Sequence, residues 1–202
     1  MIKSIVFDIG GVILRSEDES GRDALGEKYD LEPGWVERLV FNSDAAKTST
    51  IGLVSADAIW HGVSEELNLS INSLKAFQDL FWQGDQIDYT LVEFLETCRP
   101  QFHTALLTNA WKDARIMLKE RYAISEGQTV DHLLVSSEIG IAKPHPEIYE
   151  LLAETLDCHF SEILFVDDFI ENIEAAKEMG INTIHFKVGI DLINVIKSRV
   201  KI

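Results

Sequence analysis

The chain has 202 residues, of which 46% are hydrophobic, and its formal net charge is −16. This length is enough to bury a full core and suits one domain with a sizeable insertion. The negative charge argues against non-specific binding to nucleic acid or anionic lipid. No apolar run approaches the length of a membrane span, and the first is too short for a signal peptide. We therefore expect a soluble cytoplasmic protein, with Cys98 and Cys158 as reduced thiols.

The first predicted element is a buried strand over residues 2–7, which ends in Asp8, Ile9 and two glycines. From residue 16 to 82 the apolar spacing is helical only, with stripes near 35–40, 59–67 and 74–81. We expect a small all-helical unit inserted after the first strand.

After residue 82 the predicted elements alternate between helices and strands. Strands are expected over 104–108, 132–136, 162–166 and 181–186. Helices are expected over 88–98, near 111–121, from Pro146 to about 155, and from the 162–166 strand to Gly180. Such alternation predicts a parallel sheet with helices on both faces. The fold class is therefore α/β, with a three-layer, Rossmann-like core (1–15 and 83–202) and an inserted helical domain (16–82).

Polar side chains follow the predicted strands at the points where the strands end. Asp8, Thr108 and the pair Asp167-Asp168 come directly after strands, and Lys143 lies in a loop after another. The aspartate pair, Thr108 and Lys143 each have an ordinary interpretation alone: a helix cap, a turn and a solvated lysine. Asp8 is a stronger signal, because an acid that ends a buried strand before two glycines is costly unless it is used. Ligands of parallel sheets bind beyond the carboxyl ends of the strands, so together these residues indicate one site.

Four segments in this order resemble the motifs of the haloacid dehalogenase (HAD) superfamily, and the resemblance covers the whole chain. The segments are Phe7-Asp8-Ile9-Gly10-Gly11-Val12, Leu106-Leu107-Thr108-Asn109, Ile141–Tyr149, and Phe165-Val166-Asp167-Asp168 extended by Asn172 and 175–180. The resemblance implies that the insertion over 16–82 is a C1-type cap, which closes over the site and selects the substrate.

The resemblance also implies roles for the residues at the strand ends. Asp8 would attack phosphorus and form an aspartyl-phosphate. Mg²⁺ would be held by Asp8, Asp168 and the carbonyl of Gly10, with Asp167 acting through water. The phosphoryl group would be bound, and its charge stabilised, by the loop after Asp8 and by the second and third motifs: Ile9, Gly10, Thr108, Asn109 and Lys143. Asn172 would orient the lysine or the metal shell, or would be an exposed helix residue.

Gly10 departs from the family pattern, in which a second aspartate usually stands two residues after the nucleophile. A missing acid–base group typically costs about 10²–10⁴-fold in rate. A phosphatase could favour leaving groups that need little protonation, such as those of anomeric or acyl phosphates. Glu17 or Asp18 could instead supply the proton, or belong to a solvated linker.

Two other functions stay open beside the phosphatase. One is a 2-haloacid dehalogenase, which needs no Mg²⁺ and so leaves the acid pair Asp167-Asp168 unexplained. The other is a non-catalytic HAD-like protein that binds phosphate or regulates a partner. We expect a Mg²⁺-dependent phosphatase for a small phosphorylated metabolite such as a sugar phosphate, and leave the oligomeric state open.

Aromatic residues near the predicted site allow two interpretations. Trp60 and His61 in the insertion could contact the substrate, or belong to the core or the surface. Trp111 could line the pocket, or be a surface-packed tryptophan that opens the helix near 111–121.

Overall fold

The computed structural model describes residues 1–200. The strands of this range are β1 (Ser4–Phe7), β2 (Leu14–Ser16), β3 (Asp85–Ile87), β4 (His103–Thr108), β5 (His132–Val135), β6 (Ile163–Asp167) and β7 (Asn182–His185). Five of them form one parallel sheet in the order β5-β4-β1-β6-β7. The other two, β2 and β3, pair with each other in antiparallel orientation.

Helices occupy most of the remaining chain. They are α1 (Ser20–Lys28), α2 (Trp35–Phe41), α3 (Asp44–Thr50), α4 (Asp57–Glu66), α5 (Ile71–Phe81), α6 (Tyr89–Cys98), α7 (Ala114–Tyr122), α8 (Ser136–Ile139), α9 (Pro146–Thr155), α10 (Ile170–Glu178) and α11 (Leu192–Val200). Among the described residues, no helix combines the length and the apolar character that crossing a membrane requires.

The parallel sheet is buried on both faces, which confirms the predicted three-layer α/β core. Ile5 and Phe7 of β1 belong to a cluster shared with α6, α7 and α11. Val6, which points to the opposite face, belongs to a second cluster shared with α9 and α10. Successive residues of a strand point to opposite faces, so this central strand must be apolar throughout.

The register of the central strands aligns their carboxyl ends. Phe7 of β1 is opposite Leu106 of β4 on one side and Val166 of β6 on the other. The N–H of Asp8 donates to the carbonyl of Val166 over 2.8 Å. The residues that follow these three strands therefore start from one edge of the sheet.

Several element boundaries differ from the predictions. The helix expected near 111–121 begins at Ala114, because Asp113 takes a left-handed backbone conformation with φ of 70°. The strand expected over 132–136 ends at Val135, and Ser136 begins the short helix α8. Three elements were not predicted from the sequence: the paired strands β2 and β3 and the C-terminal helix α11.

Helices α1–α5 pack around a hydrophobic cluster of their own. Its buried residues include Leu25, Val40, Ile59, Phe77 and Phe81. The paired strands β2 and β3 carry the chain into and out of this helical unit, and close the two connections against each other. This arrangement supports the proposed division into a core (1–15 and 83–202) and a helical domain (16–82).

The two connections approach each other most closely at Gly84. The N–H of Glu17 donates to the carbonyl of Gly84 over 3.0 Å, and a Cβ at position 84 would overlap the carbonyl oxygen of Asp18. We predict that Gly84→Ala lowers the free energy of unfolding by about 1–3 kcal/mol, as expected for overpacking. Urea denaturation followed by circular dichroism measures this change.

The matched control for this variant is Gly62→Ala in α4. A Cβ at Gly62 meets no heavy atom within 4 Å. Alanine is the better helix former, so this variant should gain about 0.5–1 kcal/mol. Equal stabilities of the two variants would contradict the close packing of the connections.

Candidate active site

Asp8 leaves the central strand at the aligned carboxyl edge and is 8% exposed. Its Oδ1 accepts a hydrogen bond of 2.7 Å from the N–H of Ile9. The chain then turns through Gly11, whose φ is 74° and whose missing side chain leaves room for the carboxylate of Asp168. A side chain at position 11 would overlap that carboxylate. Glycine at this position is therefore what lets the two acids lie close together.

Lys143 joins the ends of three strands through one buried ammonium group. Its side chain is fully buried, and its Nζ lies 2.9 Å from Oδ1 of Asp8 and 2.7 Å from Oδ2 of Asp167. The same nitrogen donates to the carbonyl of Leu107 over 2.9 Å. A buried charge is tolerated when it is both paired and hydrogen-bonded, as it is here.

Asn109 holds the backbone of the segment that carries Lys143. The N–H of Lys143 donates to Oδ1 of Asn109 over 2.9 Å, and Nδ2 of Asn109 donates to the carbonyl of Lys143 over 2.8 Å. Two opposed hydrogen bonds from one amide side chain fix the distance between the second and third motifs. The side chain of Asn109 thus positions the lysine.

Asn172 is 6% exposed, so the interpretation of this residue as an exposed helix asparagine is wrong. Its Nδ2 lies 3.0 Å and 3.1 Å from the two carboxylate oxygens of Asp167. The N–H of Phe169 donates to Oδ1 of the same carboxylate over 2.8 Å. Asn172 therefore orients the partner of Lys143 rather than the lysine itself.

Three carboxylates converge at this edge. Oxygen atoms of Asp8, Asp167 and Asp168 all lie within 4.8 Å of one another. Burial, opposed by Lys143 and reinforced by the negative charge of Asp167, raises the pKa of Asp8 to about 7. Burial, and then Asp167, also raise the pKa of Asp168.

The donor set of this cluster fits a hard divalent cation. One lysine faces three carboxylates, so negative charge is in excess in a site that is largely buried. Mg²⁺ prefers carboxylate and carbonyl oxygens and commonly binds one or two carboxylates while keeping several waters. A bound cation would lower the pKa values of these carboxyl groups by stabilising their ionised forms.

The remaining predicted phosphate-binding groups lie in the loops beside the cluster. Thr108 is 4% exposed and ends β4. The N–H of Ile9 is engaged by Asp8. Gly10 is exposed, and a Cβ built on it meets no heavy atom within 4 Å.

Glu17 and Asp18 make local contacts in this structure. Oε1 of Glu17 accepts a hydrogen bond of 2.8 Å from Nε of Arg15. Oδ1 of Asp18 accepts one of 2.9 Å from the N–H of Ser20, and this bond lowers the pKa of Asp18. A lowered pKa favours the ionised form and disfavours the role of general acid.

Trp111, which follows the predicted phosphate-binding segment, connects the core to the helical unit. The ring centroid of Trp111 lies 5.9 Å from that of Phe41 and 6.2 Å from those of Trp60 and Trp82. Trp111 therefore does not open a helix but packs against the insertion. Sequence reasoning did not single out Ser136, although it is the last residue of the predicted strand over 132–136, as Thr108 is of the strand over 104–108.

Comparison with known proteins places the chain among relatives of the same fold. D-ribitol-5-phosphate phosphatase from Bacteroides thetaiotaomicron is 26% identical over 195 residues, which are 95% of each chain. Bifunctional epoxide hydrolase 2 from Rattus norvegicus is 36% identical over 86 residues, but the match spans only 15% of that relative's length. A solved HAD family enzyme from Bacteroides thetaiotaomicron, in complex with magnesium and inorganic phosphate, superposes with a TM-score of 0.78 at 20% identity, covering 96% of this chain and 99% of that one.

The model of one protein family, described as haloacid dehalogenase-like hydrolase, matches residues 2–180. This match includes all four motifs and the helical insertion between the first and the second. The chain therefore belongs to the haloacid dehalogenase-like hydrolase family.

Proposed function

We propose that this hydrolase is a Mg²⁺-dependent phosphatase that acts on a small phosphorylated metabolite through an aspartyl-phosphate. The observation that carries the proposal is the buried ammonium of Lys143 between Asp8 and Asp167, beside a carboxylate cluster suited to a cation. A relative that matches 95% of the chain is named as a sugar-alcohol phosphate phosphatase. A sugar phosphate or a related polyol phosphate is therefore the proposed substrate class.

The proposed reaction has two steps. A carboxylate oxygen of Asp8 attacks phosphorus, and the bond from phosphorus to the leaving oxygen breaks with its electron pair. The leaving oxygen takes a proton from water, since Gly10 carries no acid. Water then hydrolyses the acyl phosphate, which releases inorganic phosphate and restores the carboxylate of Asp8.

The chain's own groups would stabilise the charge that develops on the phosphoryl oxygens. Lys143 already binds Asp8, so its ammonium would face both the nucleophile and the transferred group. The Thr108 hydroxyl and the N–H of Asn109 would donate to the remaining oxygens. Preorganised donors of this kind act without reorganisation during the reaction, which is why fixing Lys143 through Asn109 matters.

Asp8, Asp168 and the carbonyl of Gly10 are the proposed direct ligands of Mg²⁺. Both oxygens of Asp167 are already hydrogen-bonded to the chain, which suits its proposed indirect role. When bound, the cation would neutralise excess negative charge and polarise the phosphoryl group. Attack on carbon by a dehalogenase has no need of such a cation, and the cluster therefore favours phosphoryl transfer.

The helical unit α1–α5 is the proposed cap over this site, and the cytoplasm is the proposed compartment. The aromatic contacts of Trp111 with Phe41, Trp60 and Trp82 bring the cap beside the Thr108–Asn109 segment. The two cysteines, Cys98 and Cys158, are free thiols, as a reducing compartment would keep them.

The covalent mechanism predicts that Asp8→Asn abolishes turnover. An amide oxygen is a poor nucleophile, while Lys143 would keep its contacts with Asp167 and Leu107 and so preserve the fold. Phosphate release from a panel of sugar and acyl phosphates measures the loss, with circular dichroism as the control for folding. Substantial Mg²⁺-dependent hydrolysis by this variant would contradict the covalent mechanism.

The metal site predicts that Mg²⁺ raises the melting temperature of the wild type but not of Asp168→Asn. A ligand at about 100 times its Kd stabilises the native state by about 2.7 kcal/mol. For a chain of this size that corresponds to a rise of about 5–10 °C. Asp79→Asn on the exposed side of α5 is the control and should respond like the wild type. An equal rise in Asp168→Asn would exclude this residue as a ligand.

The open space at Gly10 predicts that Gly10→Asp raises activity toward poor leaving groups. A Cβ at position 10 meets no heavy atom within 4 Å apart from its chain neighbours, and φ of Gly10 lies outside the left-handed region. A restored acid should increase kcat/KM for alkyl phosphates by about 10²-fold or more and change that for acyl phosphates little. A slope of rate against leaving-group pKa that is the same in both proteins would mean that another group already supplies the proton.

A further inference from the structure

The hydroxyl of Ser136 makes contacts with both the core and the helical unit. Ser136 is fully buried at the start of α8, just beyond β5. Its Oγ accepts a hydrogen bond of 3.0 Å from the N–H of Ala110. It donates one of 2.7 Å to the carbonyl of Thr50, at the end of α3 in the helical unit. One hydroxyl therefore links the proposed cap to the loop that follows β4.

That loop carries two of the proposed phosphate-binding residues. Thr108 and Asn109 stand directly before Ala110, and the side chain of Asn109 is bonded to the backbone of Lys143. Trp111 follows Ala110 and packs against aromatic rings of the helical unit. The segment 108–111 is thus bound to the catalytic lysine at one end and to the cap at the other.

The Ser136 hydroxyl has a second acceptor within the core. The carbonyl oxygen of Ala110 lies 3.4 Å from Oγ, farther than that of Thr50. If the cap moved away, the hydroxyl proton could turn to Ala110, and the carbonyl of Thr50 would be hydrated. Docking and release would then exchange one hydrogen bond for another, which makes the contact reversible.

We propose that Ser136 is a positioning residue that couples docking of the cap to the arrangement of the phosphate-binding segment. With the cap docked, the hydroxyl points to Thr50 and presents its lone pair to the N–H of Ala110. This bond sets the position of Thr108 and of the Asn109 N–H. Coupling is reciprocal, so a bound phosphoryl group would favour the docked cap as much as the docked cap favours binding. The inference rests on the proposed phosphatase function.

The test compares Ser136→Ala with Ser137→Ala. Ser137 is the adjacent buried residue of α8, and its hydroxyl has no hydrogen-bond partner among residues 1–200. We expect Ser136→Ala to raise KM and the Kd for inorganic phosphate in Mg²⁺ about tenfold, the order of one lost hydrogen bond. We expect kcat to change by less than about threefold, since Asp8 and Lys143 keep their contacts. Ser137→Ala should match the wild type in all three constants.

A second variant perturbs the same contact from the cap side. Gly52 has φ of 75°, and a Cβ there would overlap the carbonyl oxygen of Ser137. Gly52→Ala should push the cap away from α8 and reproduce the rise in KM. Gly34→Ala is its control, because Gly34 lies in the helical unit with nearly the same φ, 73°, and its added Cβ meets only a side-chain atom of Arg38 at 3.5 Å.

The outcomes separate this inference from the proposed function. A stability loss in Ser136→Ala with unchanged KM and phosphate Kd would make the residue merely structural and overturn the inference. Absence of turnover in the wild type would overturn the proposed function, whereas the phosphate Kd of the variants would still decide the role of Ser136. Failure of the wild type to bind phosphate in Mg²⁺ would overturn both.

Discussion

The contact on which the site and the carboxyl edge of the sheet both depend is the buried ion pairing of Lys143. Its ammonium meets groups from β1, β4 and β6, and each of them stands at the end of its strand. Breaking a buried pair by removing one partner typically costs about 3–5 kcal/mol, because it leaves a charge without compensation. The lysine therefore holds the three strand ends together as well as facing Asp8, the proposed nucleophile, and Asn109 and Asn172 each fix one side of the arrangement.

The electrostatics of this edge bear on the proposed binding of a phosphorylated substrate, because the protein as a whole is acidic. The chain as a whole carries a formal charge of −16, which repels phosphate at long range. The cluster adds three carboxylates against one ammonium, and the resulting repulsion contributes to the raised pKa of Asp8. A divalent cation held by the carboxylates would cancel this local excess of negative charge without changing the sign of the charge on the whole chain. Gly11 makes the cluster possible, since only a residue without a side chain admits the carboxylate of Asp168 so close to the turn.

The helical unit contacts the core through a pair of strands, a hydrogen bond and an aromatic cluster. The two connections pair as β2 and β3. At the end of α3, the carbonyl of Thr50 accepts a hydrogen bond from Ser136, and Gly52 packs closely against Ser137 of α8. The ring of Trp111 lies among aromatic residues of α2, α4 and the chain after α5. The hydrogen bond of Ser136 and the aromatic contacts of Trp111 both involve residues that follow β4 or β5. A movement of the helical unit is thereby transmitted to the loops that would hold a phosphoryl group, while the buried lysine stays within the core. This division of contacts suits a cap that moves over a rigid catalytic edge.

The sequence by itself determined the α/β class and which residues leave the strands at the site. Continuous apolar strands must lie between two layers of helices. A polar residue at the end of such a strand must emerge at the edge of the sheet, so the sequence alone predicts that Asp8, Thr108 and Asp167-Asp168 lie at that edge. Only the tertiary structure decided which of these groups form hydrogen bonds with one another. The hydrogen bond of Ser136 to Thr50 joins residues that are far apart in sequence. The hydrogen bond of Asn172 to Asp167 depends on the angle of α10. Neither contact can be predicted from the local spacing of apolar residues.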